Sequence, residues 1–194
     1  MSNMKTLIAE RMSLIKPSPT MAVTKLAAEM KAAGKDVIGL GAGEPDFDTP
    51  DHIKNAAIKA IKNGETKYTA VDGMPALKKA IVKKFSKDNN IEYNTDEVIV
   101  SVGGKQVLYN ALMSSINPGD EVIIPAPYWV SYPDMVALAG GIPIIVEGKE
   151  SNNFKVLPDD IKNKNSYKTK WIIINSPSNP TGSSYTKNEL EDLG

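Results

Sequence analysis

The feature that most constrains this chain is the order of its apolar runs. From about residue 49, short strand-like runs alternate with segments of helical period. That alternation predicts an α/β fold, a mainly parallel sheet with flanking helices. The strand-like runs lie at 97–102, 121–125, 143–146 and 170–175. The last is apolar on both faces, as central parallel strands tend to be. Thr49-Pro50-Asp51 predicts a helix start, with a hydroxyl at the N-cap, proline at the first helical position and a carboxylate at the positive end. Ile53, Ala57 and Ile61 follow on one face, and Gly64 is placed as the stop. A second helix opens near Pro75, with Leu77, Ile81 and Phe85 on one face; Lys78, Lys79, Lys83, Lys84 and Lys87 read as a solvated face. Further helices are expected after Gly103-Gly104 and over 130–139, the latter ended by Gly140-Gly141. Asn117-Pro118-Gly119-Asp120 is a turn by composition.

Charge and composition remove several functions. Lys+Arg and Asp+Glu both number 23, so nothing in the net charge favours wrapping nucleic acid or coating an anionic membrane. Cysteine is absent and His52 is the only histidine. Thiolate chemistry and multi-imidazole metal sites are thereby excluded, and no metal is expected. Arg11 is the only arginine, so planar bidentate capture of a carboxylate has almost no donor here. No apolar run is long enough for a transmembrane helix, and the first residues lack a signal-peptide core. A cytoplasmic protein is the expectation.

Three loops follow the strand-like runs at 97–102, 121–125 and 170–175. Gly103-Gly104-Lys105-Gln106 stands where a strand gives way to a helix, a place where free amides and the helix dipole favour a phosphate. It is neither a Walker loop nor a dinucleotide fingerprint. Pro127-Tyr128-Trp129-Val130-Ser131-Tyr132-Pro133 sets three aromatics in a stiff loop able to stack on a planar ring. Asn175-Ser176-Pro177-Ser178-Asn179-Pro180-Thr181-Gly182 supplies uncharged amide donors. An anion cradle, an aromatic platform and an amide donor at three strand ends form a convergent set.

These loops, with Gly41-Ala42-Gly43-Glu44-Pro45-Asp46-Phe47 and Lys67-Tyr68-Thr69, resemble class I aminotransferases in order and spacing from about Lys16 onward. These are pyridoxal-phosphate enzymes of fold type I, and the nearest subgroup is the bacterial aspartate aminotransferases, some of which also use prephenate. The resemblance implies transfer of an amino group between an amino acid, aspartate foremost, and 2-oxoglutarate. It implies that Gly103, Gly104 and Lys105 hold the cofactor phosphate through backbone amides. Trp129 would stack on the pyridine ring, and Asn179 would donate to its phenolic oxygen. Tyr68 resembles the tyrosine that reaches the phosphate of a neighbouring subunit, which implies a homodimer. Gly43, Trp129 and Asn179 would line the substrate α-carboxylate. Thr20 and Lys105 resemble contacts to a side-chain carboxylate, and Lys16 matches a lysine linked to prephenate use.

The resemblance also implies a division. Residues 1–47 correspond to an N-terminal arm and small-domain segment, and residues 48–194 to the N-terminal part of the cofactor-binding large domain. The Schiff-base lysine, the aspartate on the pyridine nitrogen and the arginine on the α-carboxylate belong to a later stretch in family members. No residue here matches them, so no catalytic residue is assigned. Thr186-Lys187-Asn188-Glu189 is a capping box only a few residues before Gly194, so the last helix and its domain are expected to be cut. The alternative expectation is a truncated, non-catalytic product.

Overall fold

The computed structural model describes residues 7–41 and 43–194; Ala42, within the Gly41–Phe47 motif, lies outside the described residues. The chain divides into two compact units. One is Leu108–Gly194 with the described residues up to Ser18; the other is Pro19–Val107.

The first unit is built on a three-stranded parallel sheet. Its strands are β1 (Glu121–Ala126), β2 (Ile142–Glu147) and β3 (Thr169–Ile172), in the order β2-β1-β3. Parallel neighbours need crossover connections, and a helix lies in each one. The helix α5 (Ser131–Leu138) separates β1 from β2, and the short α6 (Pro158–Lys162) separates β2 from β3. A single strand, β1, is buried on both faces. Val122 and Ile124 point to one side, against Tyr132, Met135 and Val136 of α5 and Leu112 and Ile116. Ile123 points to the other, against Val146 and Val156. The period-two alternation of a strand thus feeds two cores from three adjacent residues. A 3-10 turn at Glu10–Leu14 packs on α5, and α7 (Lys187–Leu193) follows β3 in the chain.

The second unit is helical: α1 (Pro19–Ala32), α2 (Asp51–Lys62) and α3 (Pro75–Lys84), the last running into a π-turn at Phe85–Asn89. The boundary between units falls within α4 (Gly103–Ser115). Among the described residues no helix is long and apolar enough to cross a membrane.

Most of the expected helices and strands are present, and four local expectations need correction. The run 97–102 is not a strand. It holds the end of a 3-10 turn (Thr95–Glu97) and an extended segment whose Val100 amide bonds to the Asp72 carbonyl. A strand requires a neighbour, and no described segment pairs with it; Ile99 and Val102 are 73% and 88% exposed. The run 170–175 forms β3 only through Ile172, at the sheet edge, and the doubly buried role belongs to β1. The cap of α2 is Pro50 rather than Thr49, with no side-chain cap bond. Lys78 is not on a solvated face. It is buried, 7% exposed, and paired with Asp72.

The turn after β2 is fixed by contact. A Cβ on Gly148 would lie 2.1 Å from the Phe154 carbonyl oxygen and 3.0 Å from that of Ala126. Both neighbours are backbone, so neither can swing aside. Gly148→Ala should therefore destabilise the chain by about 1–3 kcal/mol, the usual cost of overpacking, read from urea unfolding. A variant matching wild type would mean that the turn between β2 and Phe154 is looser than described.

Candidate functional site

The unit Pro19–Val107 carries the glycine turn. Gly103 adopts φ +79°, a region where a side chain is strained, and it opens α4. Its amide is held by the Ser101 carbonyl at 2.9 Å. A Cβ on Gly103 or Gly104 would meet nothing within 4 Å, so the space over this turn is open. Gly104, Lys105 and Gln106 stand in the first turn of a helix of 13 residues, at the positive end of its dipole. An anion is what such a turn can hold. Tyr68 is fully exposed in the loop before α3, and Gly43 is exposed in the segment after α1. Thr20 lies in the first turn of α1, where its carbonyl accepts a 2.9 Å bond from the Thr24 hydroxyl.

In the other unit, parallel strands bring the loops after β1 and β3 to one edge of the sheet. Trp129 is half-buried against the core and meets Tyr132 edge to face, with ring centroids 5.4 Å apart. The Trp129 carbonyl accepts the Tyr132 amide at 3.0 Å, so the indole sits at a fixed corner leading into α5. Burial pushes the Tyr132 phenol above its ordinary pKa. A narrow cleft beside it is lined by Tyr128, Asn175 and Asn179. Asn175 and Asn179 take different parts in this loop. The Asn175 side-chain oxygen accepts the Asn179 backbone amide at 2.8 Å, so Asn175 shapes the loop. Asn179 is exposed, and its side-chain amide makes no hydrogen bond among the described residues. Lys16 is exposed in the segment between the Glu10–Leu14 turn and α1.

A stitch that sequence reasoning missed fixes the second loop from behind. Tyr185 donates its amide to the Ser176 hydroxyl at 3.0 Å, and its own hydroxyl accepts the Val156 amide at 2.9 Å. Ser183 donates to the Asn153 carbonyl at 2.6 Å. Lys155 reaches Glu189 of α7 at 2.5 Å, with its ammonium 5.8 Å from the Tyr185 ring centroid. The capping box, in contrast, was visible: Thr186 accepts from the Glu189 amide, and the Glu189 carboxylate accepts from the Thr186 amide. Nothing in the local pattern signalled that Lys155, 34 residues away, would join it.

A family model described as aminotransferase class I and II matches residues 35–194. A relative from Rickettsia conorii named "Probable aspartate/prephenate aminotransferase" is 62% identical over 188 residues, which is 97% of this chain and 47% of that protein. The "Aspartate/prephenate aminotransferase" of Cereibacter sphaeroides is 59% identical over 186 residues, 96% of this chain and 46% of the relative. Among solved structures, the aspartate aminotransferase from Thermus thermophilus with maleate matches with a TM-score of 0.93 and 45% identity, covering 96% of this chain and 49% of that one. The chain spans about half the length of the curated relatives it matches. Its sheet and flanking helices are those of the N-terminal part of the fold type I large domain.

The Glu189 network has a testable pH signature. The Lys155 ammonium, then the Thr186 amide, hold the Glu189 carboxyl at about 2, down from 4.5. A depressed carboxyl contributes stability that is fully present above its ordinary value and is lost as pH falls through the folded one. The hold of α7 on Lys155 should thus persist from neutral pH to about 4.5 and fade toward 2. Carbon NMR of the Glu189 carboxyl should show a midpoint near 2, moving up toward 4.5 in Lys155→Met. A wild-type midpoint at 4.5 would show that the pair does not form in solution.

Proposed function

The chain belongs to the class I and II aminotransferases, and from that premise we propose that it supplies the cofactor-cradling part of an aspartate aminotransferase working with pyridoxal phosphate in the cytoplasm. The observation that carries this reading is the glycine turn at Gly103, a φ +79° start to a 13-residue helix with open space above it, standing in a chain 62% identical to the Rickettsia relative. The donor set fits the cofactor: amides for a phosphate, an indole for a ring, and a neutral carboxamide for a phenolic oxygen.

In this reading the Gly103–Lys105 turn holds the phosphate: the Gly104 and Lys105 backbone amides face it, and Gly103, whose own amide is taken by the Ser101 carbonyl, shapes the turn that presents them. Trp129 stacks on the ring, anchored by its contact with Tyr132. Asn179 donates to the phenolic oxygen and so favours its ionised form, while Asn175 fixes the backbone from which Asn179 projects. Pyridoxal phosphate, when bound, supplies the carbonyl that takes up an amino group and the ring that accepts an electron pair. Gly43, Trp129 and Asn179 line the α-carboxylate of the amino acid, and Thr20 and Lys105 meet the side-chain carboxylate of aspartate. Lys16 is the candidate contact for prephenate. Tyr68, fully exposed in its own unit, reaches the phosphate in a second subunit of a homodimer. The reading keeps residues 1–47 as arm and small-domain segment and 48–194 as part of the large domain. It assigns the cofactor-linked lysine to none of this chain's lysines.

Two outcomes follow. Incubated with aspartate, 2-oxoglutarate and pyridoxal phosphate, the 194-residue chain should form no glutamate above a protein-free control. Turnover would mean that one of its own lysines holds the cofactor. In a protein of the relatives' full length carrying this chain, Lys105→Ala should leave cofactor affinity within about twofold, because the phosphate is held by the amide. The same change should raise KM for aspartate by about tenfold, the value of one charge-assisted contact, and leave KM for alanine unchanged. Equal losses for alanine and aspartate would remove the Lys105 side chain from substrate recognition.

A further inference from the structure

Lys78 is the one buried charged side chain among the described residues, and the proposed chemistry does not use it. It extends from α3, and its ammonium hydrogen-bonds the Asp72 carboxylate. That contact holds the carboxyl below the ordinary carboxylate range. Asp72 faces two ways. Its side chain takes Lys78, while its backbone carbonyl accepts the Val100 amide at 3.0 Å. The adjacent Gly73, at φ +112°, lies so close to Val100 that a Cβ would stand 2.8 Å from the valine side chain. Three residues beyond Val100 the Gly103 turn begins. All of these residues belong to one compact unit.

The segment at 98–102 has no strand partner among the described residues, so ladder hydrogen bonds do not fix its course. Among the described residues, the bond from the Val100 amide to the Asp72 carbonyl is the backbone hydrogen bond that ties it to another segment. Asp72 in turn lies in an exposed loop and is fixed by Lys78. From this chain of contacts we infer that Lys78 and Asp72 are positioning residues for the phosphate cradle. The buried ammonium holds the 70–73 turn, which holds Val100, which sets where the Gly103 turn and the Gly104 amide stand. The inference rests on reading Gly103–Lys105 as the phosphate cradle and adds to it the residues that place it. Misplacing donors by about an ångström costs up to about a hundredfold in a positioned interaction, so loss of the clamp should be read in phosphate affinity.

The choice of variant follows from exposure. The Asp72 side chain is 48% exposed and water can take over its solvation once Lys78 is gone. Asp72→Asn would instead leave a buried ammonium without its counter-ion, the costlier loss. Lys78→Met is therefore the principal variant, with Lys78→Arg as the conservative rescue.

The test compares pyridoxal phosphate with pyridoxal, which lacks the phosphate, by equilibrium dialysis against the full chain, with hydrogen exchange at the Val100 amide as a second readout. Wild type should bind the phosphorylated form more tightly. Lys78→Met should lose about tenfold of that preference, leave pyridoxal affinity unchanged and speed exchange at Val100, and Lys78→Arg should restore both. An undiminished preference in a folded Lys78→Met chain overturns the clamp while leaving the cradle intact. Equal losses for both ligands with a lowered melting point would reduce Lys78 to a general structural role and also overturn it. A wild type without any preference would overturn the cradle itself, and the clamp with it.

Discussion

Everything in the Leu108–Gly194 unit depends on β1 being covered on both faces and both edges. Val122, Ile123 and Ile124 are essentially inaccessible to solvent, and their alternation serves two cores at once. Burying such side chains is worth about 1.5–3 kcal/mol each, a large share of the 5–15 kcal/mol that holds a typical domain together. Because β1 and β3 are parallel, the loops bearing Trp129 and Asn179 leave the sheet at the same edge. Their proximity is a by-product of strand direction, and the loops need no direct bond between them to share a cleft.

The sequence was most legible where a local rule decides. The Thr186–Glu189 capping box, the Asn117–Asp120 turn and the glycine stops after α2 and α5 all rest on contacts within four residues. The Gly103 turn, the Trp129 corner and the Asn179 loop could be picked out because Gly, Pro, Asn and aromatic residues carry their own conformational signatures. Legibility failed where the deciding partner is remote. The run 97–102 has the residues of a strand, but a strand is a property of two segments, and no described segment pairs with this one. The run 170–175 is as apolar as β1, yet composition cannot say which strand is central.

Charged side chains gave the other failure. By spacing alone Lys78 is indistinguishable from Lys79 or Lys83, which share its helix. Its burial is set by Asp72, six residues earlier in a loop whose path depends on Gly73 and Val100. Lys155 and Glu189 are likewise ordinary surface residues in sequence and partners in space. The comparison of Asn175 with Asn179 shows the same limit at finer grain. Two asparagines of one motif divide the work, one spending its oxygen on the backbone and the other projecting outward.

The β2-β1-β3 order also sets a timetable for synthesis. Glu121 and Thr169, neighbours across the β1–β3 pairing, are 48 residues apart in the chain. At the ribosome's pace of about 5–20 residues per second, β1 is exposed for several seconds with one edge open while its second partner is still being made. A half-built sheet with three consecutive apolar side chains in its central strand leaves uncovered the surface by which such intermediates aggregate. The length of that interval is written into the crossover between β1 and β3.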